Sequence, residues 1–299
     1  MRFSRKLVEN IIRVLESEAS RRLLREIYFL RSCALGFISY LKREIFYLEA
    51  LPAEEVKSQL EAMGLNRDWT FTDFDEAMIE QSSQHLWARA IIKRKKTAVP
   101  SIFLKYIHHY KWRENLFELS KIFRYSHGLE ELKDDVIPHL RLNENAMEAL
   151  KRIRDEKMDK AGPLKKIVYN FFPPAVNLVI VSGNSGTAIK LFLDREDIQR
   201  RLRDNKVIVR AVVANKMGFD EKGGIDGLAH RENIIDVNTK KDYIPHNNTV
   251  LVDKRDSNLK QSHPYVIFVQ SGLWENRRRE LKYKIEDEGR SHGYINKEK

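Results

Sequence analysis

A chain of 299 residues is long enough for one large domain or a core domain with an accessory one, and its 42% apolar content excludes disorder as the default. The 54 Lys and Arg against 43 Asp and Glu leave a formal charge of +11, which favours anionic partners such as phosphates, nucleic acid or acidic lipid. A single cysteine, Cys33, excludes an internal disulfide framework and a cysteine-based zinc cluster, and every apolar run is interrupted by Arg, Lys or Glu before it could span a bilayer.

The first six residues, Met1 to Lys6, are basic and amphipathic in the manner of a mitochondrial targeting segment. Glu9, Glu16 and Glu18 arrive early for such a peptide, so an ordinary surface helix is expected, in a cytoplasmic protein with the mitochondrial matrix as the alternative. Apolar residues at helical spacing (Leu7, Ile11, Val14, Leu15, then Leu23, Leu24, Ile27, Leu30) predict two or three helices up to about residue 50. Cys33 reads as a small buried apolar residue among them. Pro52 with Ala53, Glu54 and Glu55 looks like the first turn of a further helix ending near Gly64. Residues 1–67 are therefore expected to form an N-terminal helical annex.

The next segment, Trp69-Thr70-Phe71-Thr72-Asp73-Phe74-Asp75, runs β-prone residues into two aspartates. Strand alternation puts Asp73 and Asp75 on one side of an extended backbone, just where the strand ends. Two carboxylates there call for a divalent cation or a strong hydrogen-bond network, the competing reading being a strand followed by an acidic turn.

Helical patterns then return at 84–92, 102–110, 115–125 and 145–157, separated by Pro100, Gly128 and Pro138, and residues 80–171 are expected to form a helical cap. The apolar run 177–181 predicts a strand buried on both faces, followed by a turn over 182–186 and an amphipathic helix from Thr187 to about Leu202. Further strands are predicted at 207–213, 249–252 and 265–269. Strands alternating with helices indicate an α/β, Rossmann-like core of residues 68–79 plus 172–299, with a parallel sheet. Ligands of such sheets gather at the carboxyl ends of the strands, and Asp73, Ser182 and Asp253 each follow an apolar strand directly.

Taken in order, Thr72-Asp73-Phe74-Asp75, Ile180-Val181-Ser182-Gly183, Asn215 to Gly223, Lys240-Lys241-Asp242 and Val250-Leu251-Val252-Asp253 resemble the motifs of the haloacid dehalogenase superfamily of phosphohydrolases. More narrowly, they resemble its cytosolic pyrimidine 5′-nucleotidase (type III) branch, with phosphoserine phosphatase as a neighbour. The resemblance covers residues 70–83 and roughly 176–269. It implies a three-layer Rossmannoid core with a helical cap inserted after the first strand. It also implies a hydrolase in which Asp73 attacks phosphorus to form an aspartyl-phosphate and Asp75 serves as acid and then base. Ser182, Gly183 and Lys240 would hold the phosphoryl oxygens. Magnesium would be held by Asp73, Asp75 through its carbonyl, Asp253 and Asp256. A small phosphorylated substrate, nucleotide-like, follows from the segment between Asn215 and Asp242.

The chain departs from the family pattern in two places. Ala77 stands where the family has Thr or Val, and Ser257 stands where the fourth motif has a second aspartate, with Asp256 one residue short of it. Set against the hydrolase is a catalytically degenerate relative that binds RNA or assembles into a complex through its basic stretches, 93–96 and Arg277-Arg278-Arg279, with Tyr106, Tyr110 and Trp112 as stacking candidates. Simple solvation of those charges is the competing explanation. His108 and His109 are adjacent, so on a helix they do not project together as a metal pair would.

Overall fold

The computed structural model describes residues 44–65, 68–83, 86, 87, 90, 128–171, 174–228, 230–236, 238–252, 259 and 262–269. The chain divides into a unit of residues 1–44 and a second unit, Ile45–Lys299, to which nearly all the described residues belong. The predicted helices before residue 44 and over 102–125 lie outside the described residues, as do Cys33, Tyr106, His108, His109, Tyr110, Trp112 and both basic stretches.

In chain order the elements are β1 (Phe46–Glu49), α1 (Ala53–Ala62), β2 (Thr70–Thr72), α2 (Gly128–Glu131), α3 (Glu144–Asp159), α4 (Pro163–Phe171), β3 (Val176–Ser185), α5 (Gly186–Leu193), α6 (Glu196–Asp204), β4 (Val207–Asn215), β5 (Met217–Phe219), β6 (Ile225–Leu228), β7 (Thr249–Val252) and β8 (Val266–Phe268). Six strands form one sheet in the order β1-β4-β3-β2-β7-β8, and every pairing in it is parallel. The expected α/β class with a Rossmann-like parallel sheet is what the coordinates show. No helix among the described residues is long and apolar enough to cross a membrane.

A parallel sheet must bury both faces, and the strand sequences supply apolar residues to each. Leu178, Ile180, Val212, Ala214 and Leu251 face one cluster, which also holds Ile189 and Phe192 of α5 and Ala146, Met147 and Leu150 of α3. Phe71, Val179, Val181, Val213, Val250 and Val252 face the other, beneath Val56 and Leu60 of α1. The layers are thus helix, sheet, helix. In β4 the alternation changes phase at Arg210: Val209 lies on the first face and Ala211 on the second. A bulge inserts one residue there, since Leu178 pairs with Val209 but Val179 pairs with Ala211.

Four expectations need correction. Phe46–Glu49, assigned from sequence to the helical annex, is an edge strand paired to β4, and α1 covers the sheet rather than extending an annex. Its four residues are bounded by Ile45 and by Ala50, whose φ of 58° ends the strand, and so short a run also fits a helical spacing. Strand β3 continues through the predicted turn to Ser185, with a register shift between Ser182 and Ser185. The predicted helix from Thr187 to Leu202 is two helices, broken where Asp194 closes α5 and Arg195 opens α6. Within the predicted cap, α3 packs its apolar face on the sheet. The antiparallel hairpin β5–β6 has no counterpart in the sequence reading.

Candidate active site

Central strand β2 lies between β3 and β7, with Thr72 level with Ile180 on one side and Leu251 on the other. The backbone stays extended for one more residue: the Asp73 N–H donates to Leu251 O at 3.2 Å. The Asp73 carboxylate then accepts the N–H of Phe74 at 2.7 Å and starts a tight turn over Phe74–Met78. Glu76 takes a left-handed φ of 61° in that turn, so the chain doubles back, with the Glu76 N–H donating to Gln81 O at 3.2 Å. The two aspartates therefore sit beyond the strand, not on it. Simple alternation does not describe their relation, and each has its own surroundings.

Asp73 meets a cation. Lys240 Nζ stands 2.5 Å from Asp73 Oδ2, and the two side chains are 7% and 13% exposed. Lys241 and Asp242 of the same short turn point outward, so the buried lysine of the pair is Lys240. What brings Lys240 there is a chain of polar anchors. The Lys240 N–H donates to Asp236 O at 2.9 Å, and Asp236 Oδ1 accepts the N–H groups of Asn238 and Thr239 at 2.8 and 2.9 Å. The residue before Asp236 is fixed by Asn215 at the end of β4. Its amide accepts from Ile235 N at 2.8 Å, donates to Ile235 O at 3.0 Å, and donates to Gly183 O at 2.7 Å. Asn215 thus ties the lysine loop to the end of β3.

Asp75 meets neutral donors. Its Oδ1 accepts Ser83 N at 3.0 Å and Ser83 Oγ at 2.7 Å, and its Oδ2 accepts Asn184 Nδ2 at 3.3 Å. Asn184 Nδ2 also donates to Ser83 Oγ. Ser182, 2% exposed, accepts the Asn184 N–H on its Oγ at 3.1 Å. Gly183 is packed closely: a Cβ there would lie 3.1 Å from Ile235 O. Ser185 caps α5 by accepting the Thr187 N–H.

Of the residues singled out from sequence, the fold joins Asp73 to Lys240, and it joins Asp75 to Ser182 through Asn184. Asp253 and Asp256 lie outside the described residues, β7 being described up to Val252. Sequence reasoning missed Ser83, Asn184 and Asn215. The position of Asn184, two residues past Ser182 in Ser-Gly-Asn-Ser-Gly, is the one signal that could have drawn attention to it.

A third acidic group lies at the end of β1. Glu49 reaches the start of α5, so close to Gly186 that a Cβ on that glycine would fall 1.8 Å from Glu49 Oε1. Burial pushes the Glu49 carboxyl above the usual carboxylate range, and the Lys216 cation opposes this only in part.

Among the described residues no three His, Cys, Asp or Glu side chains cluster as a metal cage. The Asp73 carboxylate and the Asp75 carbonyl do supply oxygen donors at one strand end, a donor chemistry that suits a hard cation such as magnesium. The Asp75 carboxylate is engaged by Ser83 and Asn184.

No family model matches the sequence, and neither does any curated protein sequence. Solved structures do match. One is a substrate-bound phosphoserine phosphatase complex, with TM-score 0.37 and 14% identity over 73% of this chain and 99% of that one. Another is a phospho-aspartyl intermediate analogue of phosphoserine phosphatase, with TM-score 0.37, 15% identity and the same two coverages. A third is a phosphoserine phosphohydrolase-like protein from Francisella tularensis, with TM-score 0.32 and 17% identity over 67% of this chain and 86% of that one.

Proposed function

We propose that the protein is a magnesium-dependent phosphomonoesterase working through an aspartyl-phosphate on Asp73, with nucleoside 5′-monophosphates as its substrate class. The observation that carries this reading is the buried pair of Asp73 and Lys240 at the end of the central strand. A cation beside the carboxylate favours its ionised, nucleophilic form and offers a positive charge to phosphoryl oxygens. Asp73 forms the new bond to phosphorus as the bond to the alkoxide breaks, and Asp75 supplies the proton that the alkoxide takes away. Asp75 then removes a proton from the water that attacks the aspartyl-phosphate, releasing inorganic phosphate and restoring Asp73. Ser182 and Gly183, at the end of the neighbouring strand, are the further phosphate ligands. Asp73, the Asp75 carbonyl, Asp253 and Asp256 would hold Mg2+, whose charge offsets repulsion between nucleophile and substrate. The nucleotide class rests on the resemblance of residues 215–242 to the nucleotidase branch.

Phosphate release from 4-nitrophenyl phosphate and from a panel of nucleoside 5′-monophosphates, with and without magnesium, tests this reading. The wild type should turn over only with the metal, and Asp73→Asn should lower the rate by about a thousandfold or more. Undiminished turnover by Asp73→Asn would sink the mechanism. No phosphate release together with tight, salt-sensitive retention of RNA would favour the degenerate binding protein instead.

A further inference from the structure

Donors converge on Asp75 from two directions, and a third group fixes the direction of each hydrogen. Asn184 Oδ1 accepts the Ser185 N–H at 2.7 Å, so its Nδ2 is the atom that faces Asp75 Oδ2 and Ser83 Oγ. Ser83 Oγ already receives the Asn184 hydrogen, so its own single hydrogen goes to Asp75 Oδ1 at 2.7 Å. The Ser83 N–H adds a second bond to that oxygen at 3.0 Å. Both Ser83 and Asn184 are 2% exposed, so water does not compete for these bonds. The Asn184 N–H meanwhile donates to Ser182 Oγ at 3.1 Å, linking the carboxylate to the end of β3.

We propose that Ser83 and Asn184 are positioning residues that fix the orientation of the Asp75 carboxylate for proton transfer, with Asn184 coupling that orientation to Ser182. The proposal rests on the phosphomonoesterase reading and deepens it. Bonds to both carboxylate oxygens hold the side chain against rotation, and they come from two separate segments, the one that follows the turn at Glu76 and strand β3. Proton transfer matters in proportion to the basicity of the leaving group. Phenolate needs a proton as it departs, whereas 4-nitrophenolate needs little help. Loss of the clamp therefore slows phenyl phosphate more than 4-nitrophenyl phosphate, a selectivity that general loosening of the fold does not produce.

The experiment compares kcat/KM, which reports the step that expels the leaving group, for these two esters with the wild type, Asn184→Leu, Ser83→Ala and Ser83→Thr, taking Asp73→Asn and Asp75→Asn as references. Asn184→Leu and Ser83→Ala should each lose about a hundredfold on phenyl phosphate and less than about tenfold on 4-nitrophenyl phosphate, in the same sense as Asp75→Asn. Ser83→Thr, which keeps the hydroxyl, should restore the wild-type ratio. Thermal unfolding checks each variant, and Ser83→Ala, with its small volume change, reads the clamp if Asn184→Leu does not fold. Equal losses on the two esters, or none, overturn the positioning role while an inactive Asp73→Asn leaves the phosphatase reading intact. A wild type that releases phosphate neither from these esters nor from the nucleoside 5′-monophosphates overturns both.

Discussion

Asp73 and Asp75 stand two residues apart, yet one faces a buried lysine and the other an amide and a hydroxyl. The tight turn through Glu76 separates them, sending the chain from the Lys240 side of the strand end toward Ser83 and Asn184. A charged partner and neutral partners do different things to a carboxylate. The lysine compensates its charge directly, whereas the amide and hydroxyl act by orienting it. Two identical side chains can thereby take the separate tasks proposed for them, one attacking and one moving protons.

The difference between these surroundings should appear first in stability. Lys240→Met leaves the Asp73 charge buried without its cation, and breaking a buried pair in this way costs about 3–5 kcal/mol. Asp75→Asn disturbs neutral hydrogen bonds, at a cost of about 1–3 kcal/mol. Urea unfolding of the two variants ranks the effects, and the double variant Asp73→Asn with Lys240→Met should recover much of the first loss. A larger loss for Asp75→Asn than for Lys240→Met would mean that the contrast between the two carboxylates has been drawn the wrong way round.

A step down in size is the support behind the lysine. Asn215 is 3% exposed and makes three bonds, two to Ile235 and one to Gly183. Asn215→Ala strips partners from backbone groups of the lysine loop and of the end of β3 and should cost about 2–3 kcal/mol in urea unfolding. Because the loop it anchors carries Lys240, phosphate release should also fall, although Asn215 touches neither aspartate in the bonds described. A stability loss with unchanged turnover would show that the lysine holds its place without this tie.

These residues differ in how plainly the sequence announces them. Asp73 and Lys240 were legible because strand ends and ordered motifs mark them, and the fold brings them together across 167 positions of chain. Between Lys240 and Lys241 sequence periodicity offers no choice, since a short turn has no face until the rest of the fold exists. Ser83 carries no pattern, sitting in a Gln-Ser-Ser-Gln run, and Asn184 is marked only by its nearness to Ser182 in a Gly-rich stretch that reads as a turn. Their role comes from the left-handed turn at Glu76 and the register shift after Ser182, neither of which a two-residue or 3.6-residue period can encode. The sheet was mostly readable because buried parallel strands are continuous apolar runs. Its edge strand β1 was not, because four residues ending in a glutamate look equally like the last turn of a helix.

Glu49 sharpens the comparison with the smallest expected effect, since its carboxylate is matched neither by a buried ion pair like that of Asp73 nor by converging donors like those of Asp75. Burial raises its pKa above the ordinary value of 4.5, and Lys216 offsets that rise incompletely. A raised folded pKa means that the protonated form suits the fold better. That contribution to stability is complete below the unfolded pKa and is lost as pH rises through the higher folded value. Above the unfolded pKa the fold therefore bears the cost of holding a carboxyl whose charged form its surroundings disfavour, pressed against Gly186 where α5 begins. Glu49→Gln should raise the Tm at neutral pH, and the advantage over the wild type should shrink as the pH is lowered through the carboxylate range. A variant less stable than the wild type at neutral pH would mean that the attraction to Lys216 and to the positive end of α5 outweighs burial, placing Glu49 with Asp73 among the compensated carboxylates.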